Sequence, residues 1–174
     1  VRWGLIRGAS GKPLELHTAA RDVTERREAE QQLNSYAKQL RSLSIRDELT
    51  GLYNRRGFIE VAGQAHTQAL RDNRAAALIF VDLNGMKRIN DGLGHEVGDQ
   101  ALVDAADVLS MSLREADVIG RLGGDEFVVF ALDFTAEHVE RLRRRLRELA
   151  DKRVAESARP FRLSMSIGAA FVDS

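Results

Sequence analysis

The sequence predicts a layered α/β domain over residues 47–174, of βαββαβ order, with helices flanking a central sheet and a helical linker before it. Three observations carry that expectation. Ala76–Leu83 is apolar throughout except Asp82, as a strand buried on both faces would be. Gly123-Gly124 separates two strand-like stretches, Asp117–Leu122 and Glu126–Leu132, and so reads as a hairpin turn. Apolar residues otherwise recur at helical spacing: Leu102, Ala105, Ala106, Leu109 and Leu113, then Val139, Leu142, Leu146 and Leu149.

Taken in order, Val1–Arg7 and Leu14–Val23 read as two strands joined by the turn-forming Gly8-Ala9-Ser10-Gly11-Lys12-Pro13, a hairpin that needs a larger sheet to lie on. Residues 24–46 change period. Ala29, Leu33, Tyr36, Leu40 and Leu43 step by 4, 3, 4 and 3, an a/d seam suited to a parallel dimerising helix. Asn54–Arg71 is expected as a helix and Ala76–Leu83 as the central strand. Val97–Leu113 is the next helix, then come the hairpin, a helix over Ala136–Lys152 and a closing strand over Phe161–Val172, with the helices on one face of the sheet.

Composition narrows the function classes. The 174 residues carry 26 Lys plus Arg and 26 Asp plus Glu, a formal net charge of zero, so no broad basic field invites nucleic acid or an anionic membrane surface. The absence of Cys removes disulfides, thiolate zinc and cysteine nucleophiles, and fits a cytoplasmic setting. No apolar run approaches the ~18 residues of a bilayer span, which leaves open whether a longer parent is membrane-tethered. The start, Val1-Arg2-Trp3-Gly4, lacks an initiator Met and a signal pattern and reads as an excised fragment.

Two acidic segments carry the chemistry. Asp82 ends an apolar strand where the chain leaves the sheet, the place where such folds bind ligands. In Arg121-Leu122-Gly123-Gly124-Asp125-Glu126-Phe127, two carboxylates follow a tight turn directly. If the hairpin pairs beside the Asp82 strand, three carboxyl groups converge. Their mutual repulsion calls for a divalent cation, and an oxygen-only donor set favours Mg²⁺ or Mn²⁺ over zinc. Lys87 follows one helical turn later, placed for a phosphate. Asn90 and Asp99 could read a base edge, since a carboxylate accepts both N1–H and N2–H₂ of guanine and adenine offers no such pair. The plainer readings are a cap for Asn90 and a dipole-facing helix acid for Asp99.

These residues resemble the signature of the GGDEF domain, the diguanylate cyclase family. The match comprises Asp47-Glu48-Leu49-Thr50-Gly51-Leu52-Tyr53-Asn54-Arg55-Arg56, the Asp82–Asp99 block, Arg-Leu-Gly-Gly-Asp-Glu-Phe at 121–127 and Ser-Met-Ser-Ile-Gly-Ala at 164–169, over residues 47–174. The resemblance implies a palm-like fold similar to adenylyl cyclases, and condensation of two GTP into cyclic di-GMP with release of pyrophosphate. It implies that Asp82, Asp125 and the Leu83 carbonyl hold Mg²⁺, that Glu126 assists a second ion, and that Asp125 activates the attacking 3′-hydroxyl. Lys87 would contact phosphates, Asn90 and Asp99 guanine, while Gly123 and Gly124 let the backbone approach the nucleotide. One GTP per subunit implies a homodimer. Arg114-Glu115-Ala116-Asp117 matches the family's RxxD inhibitory site, where Arg114 and Asp117 would hold the product; a surface ion pair is the bland alternative. Residues 1–23 resemble the end of a PAS sensor. The family normally continues past the position of Ser174 with a helix and a Lys/Arg-containing segment. A catalytically silent domain that binds GTP or cyclic di-GMP is the alternative function. Arg141, Arg143, Arg144, Arg145 and Arg147 are expected as a solvated face, and Asp47 with Asn54-Arg55-Arg56 as a brace before the first helix.

Overall fold

A computed structural model describes residues 2–7, 10–11, 13–19 and 44–172. The chain divides after Leu43 into two units. In the first, β1 (Arg2–Arg7) pairs antiparallel with β2 (Pro13–Ala19), Leu5 opposite Leu16, so the expected hairpin forms. The expected dimerising seam, Ala29 to Leu43, lies outside the described residues. Residues 44–46, which the sequence placed in that helix, are not helical. Their carbonyls are taken by the approach to the domain: Asn54 Nδ2 donates to the Ser44 and Arg46 oxygens at 2.8 and 3.2 Å, and Asn54 N–H to the Ile45 oxygen at 3.0 Å.

The second unit is built on a five-stranded sheet. Its elements are β3 (Tyr53–Asn54), α1 (Arg55–Arg71), β4 (Ala76–Leu83), α2 (Met86–Leu93), α3 (His95–Ser112), β5 (Val118–Gly123), β6 (Glu126–Leu132), α4 (Ala136–Glu156) and β7 (Met165–Val172). The strand order is β3-β5-β6-β4-β7, with β3 parallel to β5 and every other pairing antiparallel. From β4 onward this is the expected βαββαβ order with one further short helix, α2, inserted ahead of α3, and the two-residue β3 is an addition too short to leave a sequence pattern.

Alternation along the strands sorts the core into two layers. Ala77, Ile79, Val81 and Leu83 join Phe127, Val129 and Ala131 against Leu102, Ala105 and Leu109 of α3 and Leu142, Leu146 and Ala150 of α4. On the opposite face Ala76, Val118, Val128 and Phe130 pack against Phe58 and Ala62 of α1. Helices therefore lie on both faces, not on one. Strand β4 is not sealed on both sides either: α1 packs over β5 and β6, leaving Phe80 48% exposed and Asp82 exposed.

Local chemistry sets the helix ends. Asn54 caps α1 by accepting from Gly57 N–H at 2.9 Å. Gly57 is required, because a Cβ there would collide with the Ile45 carbonyl. Thr135 N–H donates to His138 Nδ1 at 3.0 Å where α4 begins. The Asp82–Asp99 stretch holds α2, a helix with only Met86 and Ile89 buried, too few apolar positions to show a period. Gly94, at φ 88°, separates it from α3. Strand β7 begins at Met165, later than expected, because Phe161 and Leu163 plug the core as irregular chain. One buried charge went unforeseen. Asp104 on α3, 0% exposed, accepts from Arg153 Nε at 2.9 Å and Arg159 Nε at 2.7 Å, fastening α3 to the end of α4 and the chain beyond it.

Candidate active site

The register of β4 with β6 sets Asp82 opposite Glu126, and Leu83 N–H donates to the Asp125 carbonyl at 3.0 Å. Gly123 pairs with Glu126, so Gly124 and Asp125 form the two-residue turn, with positive φ of 148° at Gly123 and 54° at Gly124. A side chain at Gly124 would pay the steric cost of that left-handed backbone. On the other edge of β4, Asp82 pairs with Ser166. Asp82, Leu83, Asp125 and Glu126 thus share one end of the sheet.

They do not form a ready three-acid cage: among the described residues no three His, Cys, Asp or Glu side chains stand close enough to hold one ion. Glu126 pairs with Asp82 across the strands and shares its face of the sheet, while Asp125 lies in the turn just before β6, outside the strand alternation. The donor set still fits magnesium, which binds through one or two carboxylates and completes its octahedron with water and substrate phosphate. Asp82, Asp125 and the Leu83 carbonyl offer hard oxygens of that kind, and the exposed edge leaves room for a phosphate.

Arg121 fixes the turn. Its Nε and Nη2 donate to the Gly124 carbonyl at 3.0 and 2.8 Å, and Nη1 reaches the Asp47 carboxylate at 3.1 and 3.3 Å. Asp47 in turn accepts from Thr50 N–H at 2.9 Å and Thr50 Oγ1 at 2.6 Å. Burial pushes the Asp47 carboxyl up, but the Thr50 hydrogen bonds and the Arg121 guanidinium outweigh it and hold the group below its ordinary value. Asp47 is therefore a brace, as expected, yet what it braces is the Gly-Gly-Asp-Glu turn as well as the chain before α1. Arg121 is only 12% exposed.

Beyond β4 the loop is fastened to β7. Asn84 N–H donates to the Ser164 carbonyl at 2.8 Å, and Ser166 Oγ to Asn84 Oδ1 at 2.9 Å. Gly85 turns left-handed at φ 80° and Met86 is buried, which starts α2 with Lys87 exposed on its first turn. The Asn90 carboxamide lies over Gly98, where a Cβ would take its place. Asn90 thereby meets the first turns of α3, beside the exposed Asp99.

Arg114 and Asp117 occupy the α3–β5 connection, away from this end of the sheet. Their contact is not the side-chain pair of the bland reading: Arg114 N–H donates to Asp117 Oδ2 at 2.8 Å, and Asp117 N–H to the Arg114 carbonyl at 3.0 Å. Burial pushes the Asp117 carboxyl up, with the Arg114 amide and charge opposing. Both line a pocket of about 210 Å³ together with Phe134, His138, Arg141 and Arg145. The α4 arginines are thus not uniformly a solvated face, since Arg145 also donates to the Met111 carbonyl at 2.7 Å. No local sequence signal brings α4 to this loop.

The family model described as "Diguanylate cyclase, GGDEF domain" matches residues 44–174. The probable diguanylate cyclase DgcC of Escherichia coli K12 is 42% identical over 105 residues, 60% of this chain and 28% of its own length. The bifunctional diguanylate cyclase/cyclic di-GMP phosphodiesterase MucR of Pseudomonas aeruginosa is 37% identical over 133 residues, 76% of this chain and 19% of its own. The chain thus spans less than a third of either relative. Among solved structures, the GGDEF domain of DgcB from Caulobacter crescentus, in complex with c-di-GMP, superposes with a TM-score of 0.63 at 25% identity, covering 75% of this chain and 78% of that one. A sensory box/GGDEF family protein from the same organism gives a TM-score of 0.63 at 29% identity, covering 74% and 83%.

Proposed function

This chain belongs to the diguanylate cyclase GGDEF domain family, and we propose that it condenses two GTP into cyclic di-GMP and two pyrophosphates where Asp82 and Leu83 meet the Gly123-Gly124-Asp125-Glu126 turn. The observation that carries this reading is the strand register that sets Asp82 across from Glu126 and ties Leu83 to Asp125.

In this reading each 3′-hydroxyl attacks the α-phosphorus of the other nucleotide. One P–O bond forms and one breaks at each centre, and pyrophosphate leaves. Asp125 takes the hydroxyl proton. Lys87 holds the phosphates, Asn90 and Asp99 hold guanine, and the two glycines let the backbone approach. Asp82, Asp125 and the Leu83 carbonyl would hold magnesium and Glu126 would assist a second ion, and such ions would supply charge stabilisation at the phosphate and leaving group. Since one chain holds one nucleotide, two chains face each other. Arg114 and Asp117 hold the product as an inhibitor, and the arginines and Phe134 lining the same pocket support that reading with groups suited to phosphate and to a base. Residues 1–23, similar at sequence level to the end of a PAS sensor, belong to a part of the protein that passes an input to this domain.

Incubation with GTP and Mg²⁺, followed by chromatography, tests the reading. Cyclic di-GMP and pyrophosphate are expected from the chain and not from Asp125→Ala. Arg114→Ala is expected to turn over without inhibition by added product. GTP binding without product overturns the cyclase reading, and ATP used as fast as GTP overturns the roles given to Asn90 and Asp99.

A further inference from the structure

We propose that the cleft between α4, the start of β7 and the first turn of α2 is a second anion site, which binds the polyphosphate of a small molecule. The cleft, about 660 Å³, lies within the size range of small-molecule pockets. Arg88, Arg143, Arg147 and Arg162 line it, against a single carboxylate, Asp151. In a chain whose 26 cations balance its 26 anions, four to one is a local concentration of charge.

Charge alone would describe a solvated surface; the pairing of these groups says more. Arg143 is engaged by Glu140 at 2.5 Å. Arg88, Arg147 and Arg162 have neither an ion pair nor a side-chain hydrogen bond among the described residues. Three unpaired guanidiniums around one concavity repel each other, and an anion between them relieves that repulsion. Their planar forks suit phosphate oxygens. Arg88 is exposed, and its guanidinium lies along Gly85, with Nη2 3.2 Å from where a Cβ there would stand. The buried Leu146 and Leu163 form an apolar floor suited to the body of a small molecule.

This cleft is not the proposed catalytic site. Asp82 shares its parity on β4 with Phe80, on the sheet face carrying α1, while the cleft opens beside α4 on the other face. The two communicate through Asn84, which forms part of the cleft wall and fastens the loop after Leu83 to Ser164 and Ser166. A ligand in the cleft would therefore bear on that loop. The proposal stands whether or not the chain is a cyclase.

Calorimetric titration of the whole chain, without divalent metal, tests it with inorganic tripolyphosphate in one arm and ATP in the other. Saturable one-to-one binding is expected in at least one arm. The double variant Arg147→Gln/Arg162→Gln should weaken it about tenfold or more, the worth of a lost charge-assisted hydrogen bond. Arg162→Lys, which keeps the charge and loses the fork, should weaken it less. Lys87→Ala, Arg114→Ala and Arg144→Gln, the last on α4 but outside the cleft, should leave it unchanged. Tighter binding of ATP identifies a nucleotide as the ligand, and tighter binding of tripolyphosphate a free polyphosphate. Binding lost in Lys87→Ala, binding indifferent to Arg147 and Arg162, or no saturable binding in either arm overturns the proposal.

Discussion

Arg121 joins three things that lie far apart in the sequence: the Gly124 carbonyl within its own hairpin, the Asp47 carboxylate 74 residues before it, and through Asp47 the Thr50 turn. Its motif neighbours could be read from the sequence because glycines and acids at a turn are local signals. The partner Asp47 could not, since nothing in either segment announces the other. Arg121→Gln keeps a donor for Gly124 and loses the charged bridge to Asp47. The expected outcome is a loss of about tenfold to a hundredfold in kcat, the size associated with small misplacements of reacting groups, with GTP affinity little changed. Steady-state kinetics separates the two. Asp104 is the other residue invisible in sequence, because its arginines lie 49 and 55 residues further on. Burial pushes its carboxyl up, but hydrogen bonds from Arg159 and Arg153 outweigh this and hold it below 3.8. Its stabilisation is therefore fully present above pH 3.8 and is lost as the pH falls through the lower native value. Asp104→Asn should cost about 2 kcal/mol at neutral pH, less than a fully buried pair because Arg153 and Arg159 stay 30% and 24% exposed. Denaturant unfolding should show the gap between the two proteins narrowing below pH 3.8.

At the scale of elements, strong periodicity was legible and short or crossing contacts were not. Strand β4 and helices α3 and α4 appear close to where the apolar spacing puts them, since each presents a long face to one core. Helix α2 and strand β3 are too short for a period, and the second layer under α1 depends on which half of the sheet that helix crosses. The α2–α3 junction carries a consequence for recognition. Gly98→Ala places a methyl where the Asn90 carboxamide sits, and overpacking of this kind costs about 1–3 kcal/mol. If Asn90 reads guanine, the variant should lose preference for GTP over ATP in competition binding. Gly92→Ala, with nothing within 4 Å of the added methyl, should instead raise stability by about 0.5–1 kcal/mol and leave that preference intact. Equal loss in both variants would detach guanine selectivity from the junction.

Across the molecule, a sheet with helices on both faces presents three separate polar regions: the β4–β6 end with Asp82 and Asp125, the α3–β5 connection with Arg114 and Asp117, and the arginine cleft beside α4. The first two were signalled by short motifs at recognisable spacing. The third combines residues from α2, α4 and the approach to β7, and only the folded chain assembles it. All turns on the first region acting as one ion-binding edge. The most direct test is a crystal of the chain grown with Mg²⁺ and a GTP analogue that cannot release pyrophosphate. The account predicts an ion held by the carboxylates of Asp82 and Asp125 and the Leu83 carbonyl, at about 2.1 Å each, with a phosphate oxygen completing the shell. An ion and nucleotide bound with neither Asp82 nor Asp125 among the ligands would contradict it.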